Sequence, residues 1–107
     1  MRPGGQPNMQ QIMKQAQKMQ AQVAQAQAEL AAAELTGTAG GGLVTVTVTG
    51  LGEYKGVKID PKAVDADDVE TLEDLILAAI HNAAEAQRVL AEQKMGPATG
   101  GLSLPGF

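Results

Sequence analysis

The chain has 107 residues, no cysteine and no tryptophan, one tyrosine and one phenylalanine, and a formal net charge of −4 at pH 7. This length fits one small domain, whose thin and aromatic-poor core favours oligomerisation, and the absence of cysteine excludes disulfides, cysteine-bound zinc and thiol chemistry. No stretch reaches the roughly 18 apolar residues of a membrane span, and the first residues lack the apolar run of a signal peptide, so we expect a soluble cytoplasmic protein that does not associate with membranes.

The first third of the sequence predicts a short arm and a long helix. Residues 1–7 are rich in glycine and proline, which is typical of a flexible arm. Asn8 is a suitable N-cap, and apolar residues then recur at three- and four-residue steps, which predicts a helix over residues 8–33. About seven turns of apolar stripe exceed what a small sheet can cover, so we expect part of it to contact a partner helix or a second subunit.

The charges of this first region have one sign. Arg2, Lys14 and Lys18 are the charged residues between positions 1 and 28, and no acidic residue accompanies them. On a helical wheel the two lysines lie roughly opposite the apolar stripe. Such a face can bind the phosphates of a nucleic acid, or it can simply be solvated, as most lysines are. The same outward face carries Gln22 and Gln25.

Residues 34–60 predict a three-stranded antiparallel meander. In the middle of this region valine alternates with threonine between glycine-rich turns, which is typical of a half-buried strand with one apolar face. A weaker strand precedes it. A third strand follows, with Lys55, Val57 and Ile59 expected on one face, and ends at the next proline because proline cannot donate to a strand ladder.

Residues 67–95 predict the second helix, which completes a single α+β domain. Asp67 with Glu70 fits a capping box, and a glycine-proline pair predicts the end of the helix, leaving residues 96–107 as a mobile tail. The residues assigned to the core or to a dimer contact are Met19, Val23, Val44, Val46, Val48, Ile76 and Ile80.

Residues of catalytic or metal-binding type form no recognisable constellation. His81 has no nucleophile or orienting acid paired with it. The carboxylates of residues 60–74 lack the spacing and central glycine of a calcium loop, and the glycine-rich stretches precede strands, whereas a phosphate loop precedes a helix. We therefore expect no enzyme activity, no cofactor and no metal ion.

Five short segments resemble the YbaB/EbfC family. They occur in the order and with the spacing of that family, and the resemblance extends over nearly the whole chain. The segments are GGGLV at 40–44, VKIDP at 57–61, LEDLI at 72–76, KMG at 94–96 and GGL at 100–102.

The resemblance implies a bacterial nucleoid-associated protein that binds double-stranded DNA as a homodimer, with the helices of two subunits projecting from a joined sheet like tweezers. On this view Arg2, Lys14, Lys18, Gln22 and Gln25 are the DNA-contacting residues. We expect backbone contact with little sequence specificity, since no arginine-rich recognition helix is visible. The alternative is a protein-interaction adaptor for replication or recombination proteins, which the net acidity and the glutamine-rich first helix suit. The resemblance also implies that the gene neighbours those for a clamp-loader subunit and RecR.

Overall fold

The computed structural model describes the backbone of residues 8–99 and the side chains of residues 8–96. Two long helices flank a sheet in the predicted order, so the expected α+β architecture is confirmed. The predicted flexible arm, including Arg2, and residues 100–107 of the predicted tail lie outside the described residues. In chain order the elements are α1 (Met9–Ala32), β1 (Glu34–Ala39), β2 (Val44–Thr49), β3 (Tyr54–Ile59), a short 3-10 helix (Pro61–Ala63) and α2 (Val69–Thr99).

Helix α1 begins and ends close to the predicted positions. The Asn8 side chain accepts a hydrogen bond from the Gln10 amide at 2.9 Å, which satisfies one of the free N–H groups of the first turn. Glutamine and alanine, both good helix formers, fill most positions outside the apolar stripe. The helix ends at Ala32 because Ala33 has extended backbone angles (φ −79°, ψ 142°) that lead into β1.

The sheet has the order β1-β2-β3, and both neighbouring pairs are antiparallel. Three consecutive glycines with φ of 66°, 70° and 98° form the turn from β1 to β2, because other residues rarely adopt such angles. The register between β2 and β3 shifts near the start of β3, which leaves Lys55 as an extra residue. This bulge breaks the strict alternation on which the predicted grouping of Lys55 with Val57 and Ile59 relied.

Helix α2 lies across the apolar face of β1 and β2 and forms the core with it. The three valines of β2 are completely buried, as are Ala79 and Ala83 of α2. Ile76 and Ile80 are half-buried and pack against this cluster. The helix approaches β1 closely because Gly37 has no side chain: a Cβ built there would lie 2.1 Å from the Ala83 nitrogen and 2.4 Å from the Ala79 oxygen.

Side-chain hydrogen bonds and a second close approach attach both helices to the sheet. Asn82 Nδ2 donates to the Thr38 oxygen at 2.8 Å, and Gln87 Nε2 donates to the Gly50 oxygen at 2.7 Å. The C-terminal end of α1 packs on the same glycine, since a Cβ at Gly50 would lie 2.5 Å from the Leu30 oxygen. Helix α1 therefore runs towards the sheet, and α2 runs away from it beside α1.

The bounds of α2 differ from the predicted 67–95 at both ends. The capping box predicted at Asp67 is wrong: the Asp67 amide donates to Asp65 Oδ1, so the chain is still turning there, and Asp68 caps the helix by accepting from the Thr71 amide at 3.3 Å. The helix continues to Thr99. The glycine-proline pair does not stop it. Pro97 lacks the N–H that would bond the carbonyl of Gln93, but Gln93 is exposed, so water can satisfy that carbonyl.

Candidate nucleic-acid interface

The N-terminal part of α1 extends beyond the contacts that hold the helix to its own chain. Every side chain of residues 8–18 is exposed, and Met9 and Met13 are 69% and 57% exposed. The helix is buried only further along, at Ala26 and Leu30. The exposed segment is therefore accessible to a ligand or to another chain.

Lys14 and Lys18 lie on this projecting segment and are both exposed. Among residues 8–96, whose side chains the structure describes, neither lysine has a carboxylate within ion-pairing distance. They are one helical turn apart, so their ammonium groups follow the same side of the helix. The segment thus presents positive charge that no described carboxylate compensates.

The predicted glutamine contacts differ from one another. Gln22 is exposed on the lysine side of α1 and makes no side-chain hydrogen bond to another described residue. Gln25 donates through Nε2 to Glu29 Oε2 at 3.2 Å, so part of its donor capacity is used within the helix. Gln25 and Glu29 therefore mark the limit of the basic face, because beyond them the helix carries a carboxylate.

The cations of α2 are compensated by nearby carboxylates. Arg88 donates to Glu85 and Glu92, each at 2.6 Å, and Lys94 Nζ lies 2.9 Å from Glu29 Oε1. The hydrogen bond from Arg88 lowers the pKa of the Glu85 carboxyl, and the bond from Lys94 lowers the pKa of the Glu29 carboxyl. These cations have less capacity to bind phosphate than the lysines of α1.

A second group of exposed cations was not predicted from the sequence as a phosphate-binding surface. Lys55 and Lys58 lie in β3, and Lys62 lies in the short 3-10 helix. All three are exposed and have no ion pair with a described residue. The spacing of three to four residues between these lysines could have indicated a basic surface. They differ from the α1 lysines in having carboxylates nearby in sequence, beginning with Asp60, whose side chain accepts from the Lys62 amide at 2.9 Å.

The apolar side of β3 is not covered by either helix. Val57 pairs with Val46 across the sheet and so points to the core side, yet it is 50% exposed. Ile59 and Tyr54, which pair with the other two valines of β2, are also exposed. β3 is also an edge strand, so one side of its backbone pairs with no other strand of the described residues. This combination is typical of a surface that another chain covers.

Two further predicted contact residues are half-buried within a single chain. Met19 and Val23 lie on α1 between the fully exposed segment and the buried Ala26. Their remaining exposed surface continues the apolar stripe towards the free end of the helix. Both can therefore make additional apolar contacts.

The described residues contain no cluster of metal-ligating side chains. His81 is exposed on α2. Within residues 8–99, no group of three or more histidine, cysteine, aspartate or glutamate side chains is arranged to hold a metal ion. Nor does any helix in this part of the chain have the length and apolarity to cross a membrane.

Comparison with known proteins agrees with the motifs in the sequence. A nucleoid-associated protein of Saccharopolyspora erythraea is 60% identical to the chain, and one of Rhodococcus opacus is 57% identical, each over the full length of both proteins. The fold is similar to the crystal structure of the uncharacterized protein HP0035 from Helicobacter pylori, with a TM-score of 0.68 and 21% identity over 92% of this chain and 100% of that one. Residues 5–102 match the model of the YbaB/EbfC DNA-binding family. The resemblance is confirmed, and the chain belongs to the YbaB/EbfC DNA-binding family.

Proposed function

We propose that this protein is a nucleoid-associated homodimer that binds duplex DNA through the projecting segment of α1. Family membership supports DNA as the ligand. The observation that carries the assignment to α1 is the pair Lys14 and Lys18, which are exposed, unpaired within the described residues, and placed on a segment without a carboxylate. Arg2 on the arm that precedes α1 adds a third cation, and Gln22 adds an uncharged donor.

The contacts are to the sugar–phosphate backbone and carry little sequence information. The segment contains lysines, whose ammonium groups bind phosphates as point charges, and no arginine that could bind a guanine with two hydrogen bonds. The near-absence of aromatic residues argues against stacking on single-stranded bases. Duplex DNA of any sequence is therefore the expected ligand.

Dimerisation is supported by the uncovered apolar side and free edge of β3, with Val57 half exposed. Covering this side with a second chain would extend the core across the subunit boundary. A dimer would also present two projecting segments, so that four lysines rather than two face the DNA.

The test compares two charge-matched double variants in a mobility-shift assay with plain duplex DNA. Lys14→Ala with Lys18→Ala should weaken binding to every duplex equally, because phosphate contacts do not depend on sequence. Lys58→Ala with Lys62→Ala removes the same charge from the sheet end and should have a smaller effect. Equal loss in both variants would show that only net charge matters. Loss in the second alone would place the interface on the sheet, and parent protein that binds no DNA would favour the adaptor function.

A further inference from the structure

A shallow and largely open apolar strip, called the groove below, runs along one side of α1. Its walls include Met19 and Val23, together with alanine and the aliphatic parts of glutamine side chains, and nearly all of its surface is apolar. On the helical wheel the groove lies roughly opposite Lys14 and Lys18, so the basic face and the groove are separate surfaces of one helix. The lining residues are Ala16, Met19, Gln20, Val23, Ala24 and Gln27.

Helix α2 ends beside this groove. The two helices run in opposite directions, and the ion pair between Lys94 and Glu29 places those residues side by side at 2.9 Å. Thr99, the last residue of α2, lies five residues beyond Lys94, which is about 7.5 Å further along the helix axis. It is therefore level with the part of α1 near Ala24, at the near end of the groove.

The chain continues from this point with the sequence GGLSLPGF, residues 100–107. Two glycines allow a change of direction directly after α2. Three large apolar side chains follow, and one of them is the single phenylalanine of the protein. Eight extended residues reach about 26 to 29 Å, which exceeds the length of about 16 Å that the groove occupies along α1.

We propose that the C-terminal segment, residues 100–107, docks in the apolar groove of its own α1, with Leu102, Leu104 and Phe107 filling it. The tether makes this contact intramolecular, with an effective concentration in the millimolar range for a linker this short. Docking covers the apolar side of a helix segment that has few other contacts within its chain, and so keeps that segment helical. It leaves the face of Lys14 and Lys18 open, because that face lies on the other side of α1.

The absence of cysteine and tryptophan permits a direct test in the full-length protein. Phe107→Trp introduces a single tryptophan, which can be excited selectively over Tyr54, and Gln20→Cys, labelled with a nitroxide, places a quencher in the groove. Gln22→Cys is the matched control: it is also exposed, lies about 3 Å away along the axis, and points about 160° away around the helix. If the segment is docked most of the time, the label at Gln20 should remove more than half of the tryptophan emission and the label at Gln22 much less.

Dilution with an excess of unlabelled parent protein separates contact within a chain from contact between chains. Quenching that persists on dilution supports docking within one chain. Quenching that disappears would overturn the proposal in favour of a second copy supplying the segment. Equal quenching from both label positions, or none from either, would also overturn it, because the segment would then have no preferred position on α1.

A second measurement uses no label. Replacing Leu102, Leu104 and Phe107 together by serine should speed amide hydrogen exchange in residues 9–24 by about tenfold or more, since the loss of one buried leucine is enough to change an opening equilibrium by that factor. Ser103→Ala in the same segment should leave exchange unchanged. Equal exchange in the triple variant and the parent would contradict docking, whatever the fluorescence result.

Discussion

The strongest test of the α1 interface is the salt dependence of DNA binding after Lys14→Ala and Lys18→Ala. Each phosphate neutralised by a cation contributes about −0.9 to the slope of log affinity against log salt concentration. A dimer carries two copies of Lys14, Lys18 and Arg2, so four to six neutralised phosphates give a slope of about −4 to −5. Affinity should then fall about 500-fold between 50 and 200 mM salt.

The double variant removes four of these contacts from each dimer. The slope should then lie between about −2 and zero, so that the same salt change lowers affinity by about tenfold at most. Fluorescence anisotropy with a short labelled duplex over a salt series measures both slopes. The fold should be unaffected, within about 0.5 kcal/mol, because both side chains are exposed and make no ion pair with a described residue. A slope equal to that of the parent would refute the assignment of phosphate contacts to α1, whereas a flatter slope for Lys58→Ala with Lys62→Ala would move the contacts to the sheet.

Three further predictions concern stability and assembly. Gly37→Ala should lower the free energy of unfolding by about 1 to 3 kcal/mol, because the new methyl group would clash with the backbone of α2. Gly56→Ala, which has open space around it, should lower it much less, and urea denaturation measures both. Asp68→Ala should cost about 1 kcal/mol through loss of the α2 cap, and Asp67→Ala should cost less; equal costs would contradict the assignment of the cap. The parent should have the mass of a dimer by light scattering at micromolar concentration, and Val57→Asp should shift it towards monomer because it places an unpaired charge in the proposed subunit contact; a monomeric parent would rule out this contact.

The elements of the fold were predictable where local pattern and tertiary contacts agree. The alternation of valine and threonine in β2 has the period of a strand, and the buried side of that strand is the valine side. The long apolar repeat of α1 likewise has the period of a helix. The end of α2 was mispredicted, because the same glycine-proline pair can terminate a helix or lie in its last turn. The cap was placed one residue early, because three aspartates in close succession can each accept a backbone hydrogen bond.

The candidate interface was less predictable, since charge along a sequence does not reveal which charges pair. Lys94 and Glu29 are far apart in the chain and meet only because α1 and α2 are antiparallel neighbours. Lys14 has no such partner among the described residues, and the lack of acidic residues near it in sequence could not by itself exclude a distant one. The uncovered side of β3 could not be foreseen either. The residue pattern of the strand that contains Val57 shows which side is apolar, but not whether a helix covers that side.

The attachment of α1 near Leu30 and Gly50 gives this helix the geometry of a lever. The close backbone contact at Gly50 fixes this end of the helix, and Lys14 lies sixteen residues, or about 24 Å, from Leu30 along the helix axis. A rotation of only about 10° about that end carries Lys14 through about 4 Å. This displacement is close to the 3.4 Å that separates successive phosphates along the axis of one DNA strand. If Lys14 and Lys18 bind phosphates as proposed, small changes in the tilt of α1 would move them from one phosphate to the next, and so let the protein follow duplexes of different twist or curvature.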